Sequence, residues 1–430
     1  MSSAASEYRL DGIYKQRQSG FFMQRIKLAA GVISSAQARA VSDVAEQYGK
    51  NSLHLTSRGS IELHWLCEHD LVSVKRELAK VGLTSRGACG GAVRGITCDS
   101  LGSAASSAIE SLSHRLHRHF TGNPRFERLP KKFKIGIETD VAGGRHLIQD
   151  AGLVLARQEG GHAWYDIWIA GGLGHAPRPG FLLSEAVPEE RIIPIIETIL
   201  NVYSGNVPPG KRLKHLASEI GEERLRTLIE NHPGYNEELP PVTGLPDVVT
   251  LTSSASRQVV IPIFAGAITA DQFRGIASIA ERHAGGVFVI SANQDIALLL
   301  DSSADHAAMY EELALSGIPS AADGGLTLRV CPGSHECIMG LAPTRDVAER
   351  LAAILPEKSH RMVWAISGCP NSCTRPQLAD VGIVASRQAT GSGGERTPRY
   401  DIYRRTEDGF GKTIYEGLDC ADLLSVTPDI

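Results

Sequence analysis

Four cysteines form two close pairs near the C-terminal end of the chain. Cys331 and Cys337 are six positions apart in the segment CPGSHEC, and Cys369 and Cys373 are four positions apart in SGCPNSC. Two such pairs, separated by about thirty residues, can bring four soft thiolates to one point. Because four thiolates are the ligand set of an iron–sulfur cluster, the spacing predicts electron-transfer chemistry.

Two other interpretations of these cysteines are open from the spacing alone. A structural zinc site usually has two to four residues within each pair, whereas five residues separate Cys331 from Cys337. Unligated buried thiols are the second alternative, and this is the interpretation given to the remaining cysteines, Cys67, Cys89, Cys98 and Cys420. The wide first pair favours an iron–sulfur cluster over zinc.

The composition is that of a globular protein with several domains. The chain has 430 residues, of which 42% are hydrophobic and 21% charged, and this length is typical of two to four domains. A net charge of -4 does not indicate a nucleic-acid or acidic-membrane partner. The N-terminal segment lacks the order of a signal peptide, and no apolar run approaches the ~20 residues of a membrane span. We expect a cytoplasmic protein without membrane or nucleic-acid contacts.

An internal repeat organises the elements that must position the cysteines. Residues 30–83 and 265–318 align without a gap, with AGVIS at Ala30 opposite AGAIT at Ala265. The further identities include Gln37 with Gln272, Arg39 with Arg274, and Gly82 with Gly317. So many matches on one register indicate a duplication.

Each copy has the same predicted order of elements, β-α-β-β-α. The predicted strands are Gln24–Leu28, Ser52–Leu55 and Ile61–Leu66 in the first copy and Val259–Phe264, Val287–Ile290 and Ile296–Leu300 in the second. The first helix of each copy is predicted to begin after the N-cap Ser34 or Thr269, and the second helix is predicted to end at Gly82 or Gly317. Each unit resembles half of a ferredoxin-like sandwich, and we expect the two to pair around a pseudo-twofold axis.

The segments after each copy are also related. RGACGGAVRGITC and LPKKFKIGIETD follow the first copy, and LRVCPGSHEC and VWAISGCPNSC follow the second. The loops that carry cysteines in the second half carry Arg94, Lys132 and Lys134 in the first. Lys132 and Lys134 alternate in a strand-like run, so both are expected to lie on one face. The chain is therefore predicted to be a duplicated two-domain module.

The motifs together resemble the sirohaem–[4Fe–4S] sulfite and nitrite reductases. RIKLAAGVIS, LTSRGSIELH, GACGGAVRGIT, LPKKFKI, AGGLG, SANQ and SGCPNSC occur in the order of that family and cover nearly the whole chain. The resemblance implies an α+β fold, internally duplicated, with two ferredoxin-like half-repeats and two α/β sirohaem-binding domains. The predicted divisions are 1–83 and 245–320 for the half-repeats, 84–244 for the first sirohaem-binding domain, and 321–430 for the sirohaem- and cluster-binding domain.

The resemblance also assigns roles to individual residues. It implies that the [4Fe–4S] cluster is bound by Cys331, Cys337, Cys369 and Cys373, with Cys373 bridging the cluster to the sirohaem iron. It implies four catalytic cations around an anion bound at the open face of the haem, namely Arg25, Arg94, Lys132 and Lys134. Arg58 and Lys214 are expected to contact the carboxylates of the macrocycle.

The chain departs from the family pattern in the segment around Arg58. The family commonly has T-x-R-Q-x-x-Q-x-H, whereas this chain has Gly59 and Glu62 at the two glutamine positions, and His54 where an arginine is common. A carboxylate at position 62 near a polyanionic macrocycle is unfavourable unless it is paired or turned away. We therefore expect the contacts to the macrocycle to differ in detail from those of relatives.

The resemblance implies six-electron reduction of a small oxyanion. The paired lysines of Lys132-Phe133-Lys134 favour sulfite, reduced to sulfide; nitrite, reduced to ammonia, is the first alternative. A precorrin-3B synthase-like oxygenase is the second, and a zinc-stabilised binding module is a non-catalytic third. The chain has no convincing nucleotide-binding motif and no flavin module, so an external donor such as a ferredoxin or a flavoprotein is expected.

Overall fold

The computed structural model describes residues 8–98, 106–239, 257–300, 305–318, 326–390, 394–407 and 409–430. The predicted domain boundaries at 244/245 and 320/321 lie outside these residues. Within the described residues, no helix is both long enough and apolar enough to cross a membrane.

Apart from residues 8–10 and short 3-10 turns, the described part of the first half contains ten strands and six α-helices. In chain order these are β1 (Ile13–Lys15), β2 (Phe21–Ile26), β3 (Val32–Ser34), α1 (Ser35–Tyr48), β4 (Ser52–Leu55), β5 (Ile61–Cys67), α2 (Leu71–Lys80), β6 (Thr97–Cys98), α3 (Ser106–Phe120), β7 (Ile135–Glu138), β8 (Ala151–Glu159), β9 (His162–Ile169), β10 (Phe181–Pro188), α4 (Glu189–Asn206), α5 (Leu213–Ile220) and α6 (Glu222–Glu230).

The second half repeats this order with fewer helices in the described residues. Its elements are β11 (Arg257–Ile261), β12 (Ala267–Thr269), α7 (Ala270–His283), β13 (Val287–Ile290), β14 (Ile296–Leu300), α8 (His306–Leu315), β15 (Thr327–Val330), α9 (Gly333–Glu336), α10 (Thr344–Ile354), β16 (Val363–Ser367), β17 (Val381–Thr390), β18 (Arg396–Arg404), β19 (Lys412–Leu418) and α11 (Cys420–Val426).

The predicted helix caps are present in both copies of the repeat. Ser34 and Thr269 each accept a hydrogen bond at 3.2 Å from the backbone N–H of the glutamine three residues later, and each forms a capping box. Gly82 and Gly317 follow the second helices with φ of 73° and 63°, the left-handed conformation that glycine adopts at least cost. Local sequence therefore determines these helix boundaries. The first strand of each copy begins earlier than predicted, at Phe21 and Arg257.

The two ferredoxin-like copies exchange a strand. One sheet has the order β1-β2-β5-β4-β12 and the other β11-β14-β13-β3, so β12 of the second copy pairs with β4 of the first, and β3 pairs with β13. Helices α1 and α7 also pack together, and Ser35 Oγ donates to Ala277 O at 2.7 Å. The copies share one hydrophobic core. This arrangement confirms the predicted ferredoxin-like pairing and joins the halves into one body.

The other two sheets have the same topology as each other. Their orders are β6-β7-β8-β9-β10 and β15-β16-β17-β18-β19, and in both the first two pairings are parallel and the last two antiparallel. Each sheet packs on a hydrophobic core largely of its own. The duplication inferred from sequence therefore extends over both domains of the module.

Candidate active site

The cysteine loops leave the same edge of the second mixed sheet. Strands β15 and β16 are parallel neighbours, and Cys331 follows β15 directly while Cys369 lies two residues after β16. The carboxyl ends of parallel strands meet at one edge, which is where α/β sheets place their ligands. The N–H of Gly368 donates to Cys331 Sγ at 3.1 Å. The fold thus brings the two cysteine pairs together.

Glycines allow the backbone of these loops to approach closely. A Cβ on Gly333 would lie 2.2 Å from Thr344 Oγ1, and one on Gly340 would lie 2.3 Å from the carbonyl carbon of Gly333. A Cβ on Gly368 would lie 2.8 Å from Gly333 Cα. Because real Cβ atoms do not come this near, only glycine fits at these positions. The close packing holds the Cys331–Cys337 segment against the loop that carries Cys369.

Cys373 affects the ionisation of the other three thiols. Burial raises the pKa of Cys331, and the Cys373 thiolate raises it further. Burial and then Cys373 raise the pKa of Cys369 to about 11. Cys337 is also affected by Cys373, although burial is the main cause of its raised pKa. Thiols that disfavour one another's ionisation require a metal centre to hold them as thiolates together.

The spacing of these sulfur atoms fits a cluster better than one zinc ion. Among the described residues, the group of three or more ligands within 4.8 Å of one another is Cys67, His69 and Asp70, and it includes none of the four cysteines in the two pairs. Four sulfurs around one zinc ion lie only about 3.8 Å apart, because the Zn–S bond is about 2.3 Å long. A four-iron cluster spreads its thiolates more widely. The donor set therefore fits an iron–sulfur cluster.

The cations of the first half lie on the corresponding loops of the other mixed sheet. Lys132 and Lys134 flank Phe133, whose side chain is fully buried just before β7. The main chain at Phe133 bridges to Val93, and the N–H of Arg94 donates to Phe133 O at 2.8 Å. The burial of Phe133 between them is consistent with the two lysines lying on the other side of the segment, which stays a prediction, and the main chain of Arg94 is bonded to this segment.

A buried ion pair fixes the backbone of the lysine segment. Asp150 accepts a hydrogen bond at 2.8 Å from the N–H of Lys134. The same carboxylate accepts bonds from Arg212 Nε at 3.2 Å and Nη2 at 2.7 Å. The side chains of Asp150 and Arg212 are 0% and 4% exposed. Sequence reasoning missed both residues, because an aspartate and an arginine 62 positions apart carry no local signal of pairing.

The lysine pair and Cys373 act on one another. Burial lowers the pKa of Lys132 to about 8, and the charge of Arg212 is the next cause. Burial also lowers the pKa of Lys134, followed by the charge of Arg58. The Cys373 side chain acts on both lysines in the opposite direction, but the pKa of each stays lowered. Ser57 Oγ also donates to Cys373 O at 2.8 Å, which ties the loop before Arg58 to the second half. The structure thus brings the first-half cations to the cysteine of the second half.

Arg94 and Arg58 donate to neutral partners. Arg94 donates to Gly87 O at 3.2 Å and Gly90 O at 2.9 Å, and Arg58 donates to Gly95 O at 2.8 Å and to the side chain of Gln149 at 3.2 Å. Burial, followed by the nearby charges of Arg94 and Arg212, lowers the pKa of Arg58 to about 9. These bonds orient the guanidinium groups but leave their charge available for an anion.

Arg25, by contrast, already has an anionic partner. Its Nε and Nη2 donate to Glu62 Oε1 at 3.0 Å and 2.5 Å. Burial alone would raise the pKa of Glu62, but Arg25 and then His64 lower it overall. The carboxylate that departs from the family pattern is therefore paired, which meets the condition set by the sequence. This pairing also neutralises much of the Arg25 charge, which is then not available for an anion.

Lys214 holds a loop. It lies at the start of α5, and its Nζ donates to Gly172 O at 3.3 Å, to Leu173 O at 3.0 Å and to Ala176 O. The first two carbonyls belong to the GGLG segment, and Ala176 follows it by two residues. Since an ammonium group has three N–H donors, the three bonds use all of them. A contact between Lys214 and the macrocycle stays a prediction.

Lys27 is a buried cation that sequence reasoning missed. It is 3% exposed and donates to Val93 O at 3.3 Å and to Thr121 Oγ1 at 2.8 Å. Burial, followed by the charge of Arg94, lowers its pKa to about 7. It directly follows β2 in the segment RIKLAAGVIS, where a lysine among apolar residues was the one available signal.

Replacing Lys27 with methionine is expected to stabilise the protein in a pH-dependent way. The pKa of Lys27 is about 7 in the folded state against an ordinary 10.5, so the unfolded state binds more protons between these values. The penalty of burying the charge is therefore complete below about pH 7 and disappears as pH rises toward 10.5. Melting temperatures of the cofactor-free protein should show the greatest gain for Lys27→Met at pH 7 and almost none at pH 10.

The exposed Lys131 supplies the control for this series. Lys131→Met is expected to change the melting temperature equally at pH 7 and pH 10, because no buried charge is removed. A gain for Lys27→Met that does not diminish with pH would show that Lys27 keeps its proton in the folded as well as the unfolded protein throughout this range, which contradicts its lowered pKa.

Comparisons with known proteins give the family. A model described as the nitrite and sulphite reductase 4Fe-4S domain matches residues 89–236. A second, for the nitrite/sulfite reductase ferredoxin-like half domain, matches residues 14–81 and 257–316. The matched ferredoxin-like segments coincide with the two repeats. The matched 4Fe-4S domain is the first mixed sheet, and the second sheet with the same topology carries the cysteines.

Named relatives and a solved structure are similar over most of the chain. "Sulfite reductase [ferredoxin] 2" of Mycolicibacterium paratuberculosis is 25% identical over 91% of this chain and 78% of the relative. "Ferredoxin--nitrite reductase" of Synechococcus elongatus is 27% identical over 95% of this chain and 85% of the relative. The Mycobacterium tuberculosis NirA structure has a TM-score of 0.81 at 20% identity, covering 100% of this chain and 86% of that one.

These matches and the site geometry agree. The sulfur set fits a cluster, and the buried cations fit a polycarboxylate macrocycle. The chain is an oxidoreductase that belongs to the nitrite and sulfite reductase family, and its cofactors are the sirohaem and the [4Fe–4S] cluster of that family.

Proposed function

We propose that the chain reduces sulfite to sulfide, a reaction that consumes six electrons and six protons. The observation that supports the proposal is the alternation of Lys132 and Lys134 around the buried Phe133, whose carbonyl accepts the N–H of Arg94, together with the electrostatic influence of Cys373 on both lysines. Sulfite carries up to two negative charges and nitrite carries one. Several uncompensated cations therefore favour sulfite.

The protein groups have three separate tasks in this proposal. Arg94 and the two lysines attract and orient the anion, and the lysines hold protons that the departing oxygen atoms need. Their lowered pKa values ease that transfer. Asp150 keeps the backbone of Lys134 in place. When bound, the sirohaem and the cluster would supply the electrons, and Cys373 would be the residue that serves both.

Lys134→Asn is expected to impair sulfite turnover more than nitrite turnover. Removing one cation from an anion site costs a dianion more than a monoanion, so kcat/KM for sulfite should fall at least about tenfold further than kcat/KM for nitrite. The assay supplies reduced viologen with each anion in turn. Lys131→Asn, on the exposed neighbouring lysine, is the matched control and should leave both rates unchanged.

The same assay tests the alternatives. Equal losses for both anions would remove the reason for preferring sulfite, and nitrite turnover alone in the wild type would establish the nitrite reductase alternative. A purified protein that contains sirohaem but reduces neither anion would favour a precorrin-3B synthase-like oxygenase. The relatives named for ferredoxin support a ferredoxin as the electron donor.

A further inference from the structure

Three neighbouring strands place Glu62 between Arg25 and His54. In the sheet order β2-β5-β4, Glu62 of β5 lies directly opposite Arg25 of β2 and directly opposite His54 of β4. Side chains that face each other on antiparallel strands point to the same face of the sheet. His64, two residues further along β5, shares this face, and its Nε2 lies 3.4 Å from Glu62 Oε2. The four side chains therefore form one row.

The charge of this row depends on Arg25 and Glu62. Glu62 Oε1 accepts hydrogen bonds from Arg25 Nε at 3.0 Å and from Nη2 at 2.5 Å, and the Glu62 side chain is 7% exposed. Burial lowers the pKa of His54 to about 3, so this ring is neutral. Arg345, another arginine that acts on His54, is already paired with Glu336 at 2.8 Å. Arg25 therefore supplies the main positive charge beside Glu62.

One loop orients both Arg25 and Arg94. Arg25 Nη1 donates to Ala88 O at 3.4 Å, and Arg94 donates to Gly87 O at 3.2 Å and to Gly90 O at 2.9 Å. The Arg25 side chain is 30% exposed, so a small anion can approach it. Arg25 thus lies beside a cation that the proposed function assigns to the anion.

Both departures from the family pattern in this row change its charge in the same direction. The family commonly has an arginine at position 54 and a glutamine at position 62, whereas this chain has His54 and Glu62. A neutral imidazole thus replaces a cation, and a carboxylate replaces a neutral amide. The row around Arg25 is balanced in this chain, whereas the family pattern would leave it positive.

We propose that Glu62 is a positioning residue that determines anion specificity, because it binds the guanidinium of Arg25 and cancels its charge. The preference of the site for a dianion over a monoanion is lowered as a result. This inference rests on the proposed reduction of a small oxyanion, in which Arg94 and the two lysines supply the attraction and Glu62 limits it. The energy between a cation and an anion is proportional to the charge of the anion. Sulfite as a dianion therefore responds to Glu62 more strongly than nitrite does.

The test measures anion binding to the holoenzyme before any electron is supplied. Sulfite and nitrite are each titrated into the oxidised protein at a pH where sulfite is a dianion, and the dissociation constants are obtained from the change in sirohaem absorbance. Glu62→Gln releases the charge of Arg25, so the dissociation constant of sulfite should fall about tenfold and that of nitrite about threefold. A purely structural role of Glu62 would instead weaken the binding of both anions.

A double variant tests whether the gain comes from Arg25. Glu62→Gln combined with Arg25→Met makes the row neutral again and leaves neither member of the pair charged and alone. Its dissociation constants should therefore return to within about twofold of those of the wild type. Glu127→Gln is the matched control, because Glu127 is 6% exposed and accepts two hydrogen bonds of 2.7 Å from Arg86. This variant should change neither dissociation constant.

Unchanged binding, weaker binding or an equal gain for both anions in Glu62→Gln would overturn the proposal. A double variant that binds sulfite as tightly as Glu62→Gln would overturn it too, because the gain would not come from Arg25. A double variant that binds sulfite much more weakly than the wild type would show that Arg25 attracts the anion despite Glu62, which also contradicts the proposal. A wild-type holoenzyme that binds neither anion would instead overturn the proposed reduction of sulfite or nitrite.

Discussion

Cys369→Ala is expected to lose the iron–sulfur cluster and, with it, reductase activity. Cys369 is 7% exposed and lies in the loop that packs on Gly333. A small thiol dissolved in the solvent therefore cannot reach its position and take its place as a ligand. Iron and acid-labile sulfide per chain should fall to near background. Turnover of sulfite and nitrite should fall about a thousandfold or more, because the loss of a ligand has a larger effect than the roughly 10–100-fold loss seen when a group that hydrogen-bonds to a ligand is removed.

Cys420→Ala is the matched control for this substitution. Cys420 is partly buried at the start of α11 and contacts Arg350, away from the two cysteine pairs in sequence. Its variant should keep iron, sulfide and turnover at wild-type levels. Full cluster content in Cys369→Ala would exclude this cysteine as a ligand, and loss of the cluster in both variants would point to general misfolding.

The repeat and its elements were largely predictable, whereas the exchange of strands was not. Capping at Ser34 and Thr269 and the glycines after α2 and α8 are local signals, and they gave correct helix boundaries. The pairing of β12 with β4 and of β3 with β13 joins residues more than 200 positions apart. No local periodicity encodes which edge such a short strand joins, so the pairing depends on packing of the whole module.

Site residues that belong to a sequence motif could be predicted, whereas the role of a charged residue that depends on its burial could not. Arg25 and Arg94 have the same formal charge. In the fold, however, Glu62 neutralises Arg25, whereas Arg94 donates to backbone carbonyls. Asp150 resembles any surface aspartate until its burial is known. A charged residue contributes according to its partners and its solvent exposure, and these are properties of the fold.

Asp150→Asn is expected to destabilise the protein strongly. The substitution leaves the guanidinium of Arg212 buried without its counter-charge, which costs about 3–5 kcal/mol for such pairs. For the domain concerned, this corresponds to a fall in melting temperature of roughly 10 °C. The weaker acceptor should also loosen the Lys134 backbone, so turnover of the anion should fall in folded variant protein at temperatures well below its transition.

Two further variants distinguish the effect of breaking this buried ion pair from the effect of removing any charged side chain. Glu222→Gln breaks the exposed pair with Arg178, whose side chains are 47% and 25% exposed, and should lower the melting temperature by no more than about 2 °C. Replacing both members of the buried pair, Asp150→Leu with Arg212→Met, should recover much of the stability lost in Asp150→Asn, because no charge is then left buried without a partner and the two apolar side chains can pack together. It should not recover turnover, because the carboxylate that holds Lys134 is gone.

A double variant that regains activity with stability would show that Asp150 acts only through the fold. A small effect of Asp150→Asn on stability would show that water or another carboxylate already compensates the charge of Arg212.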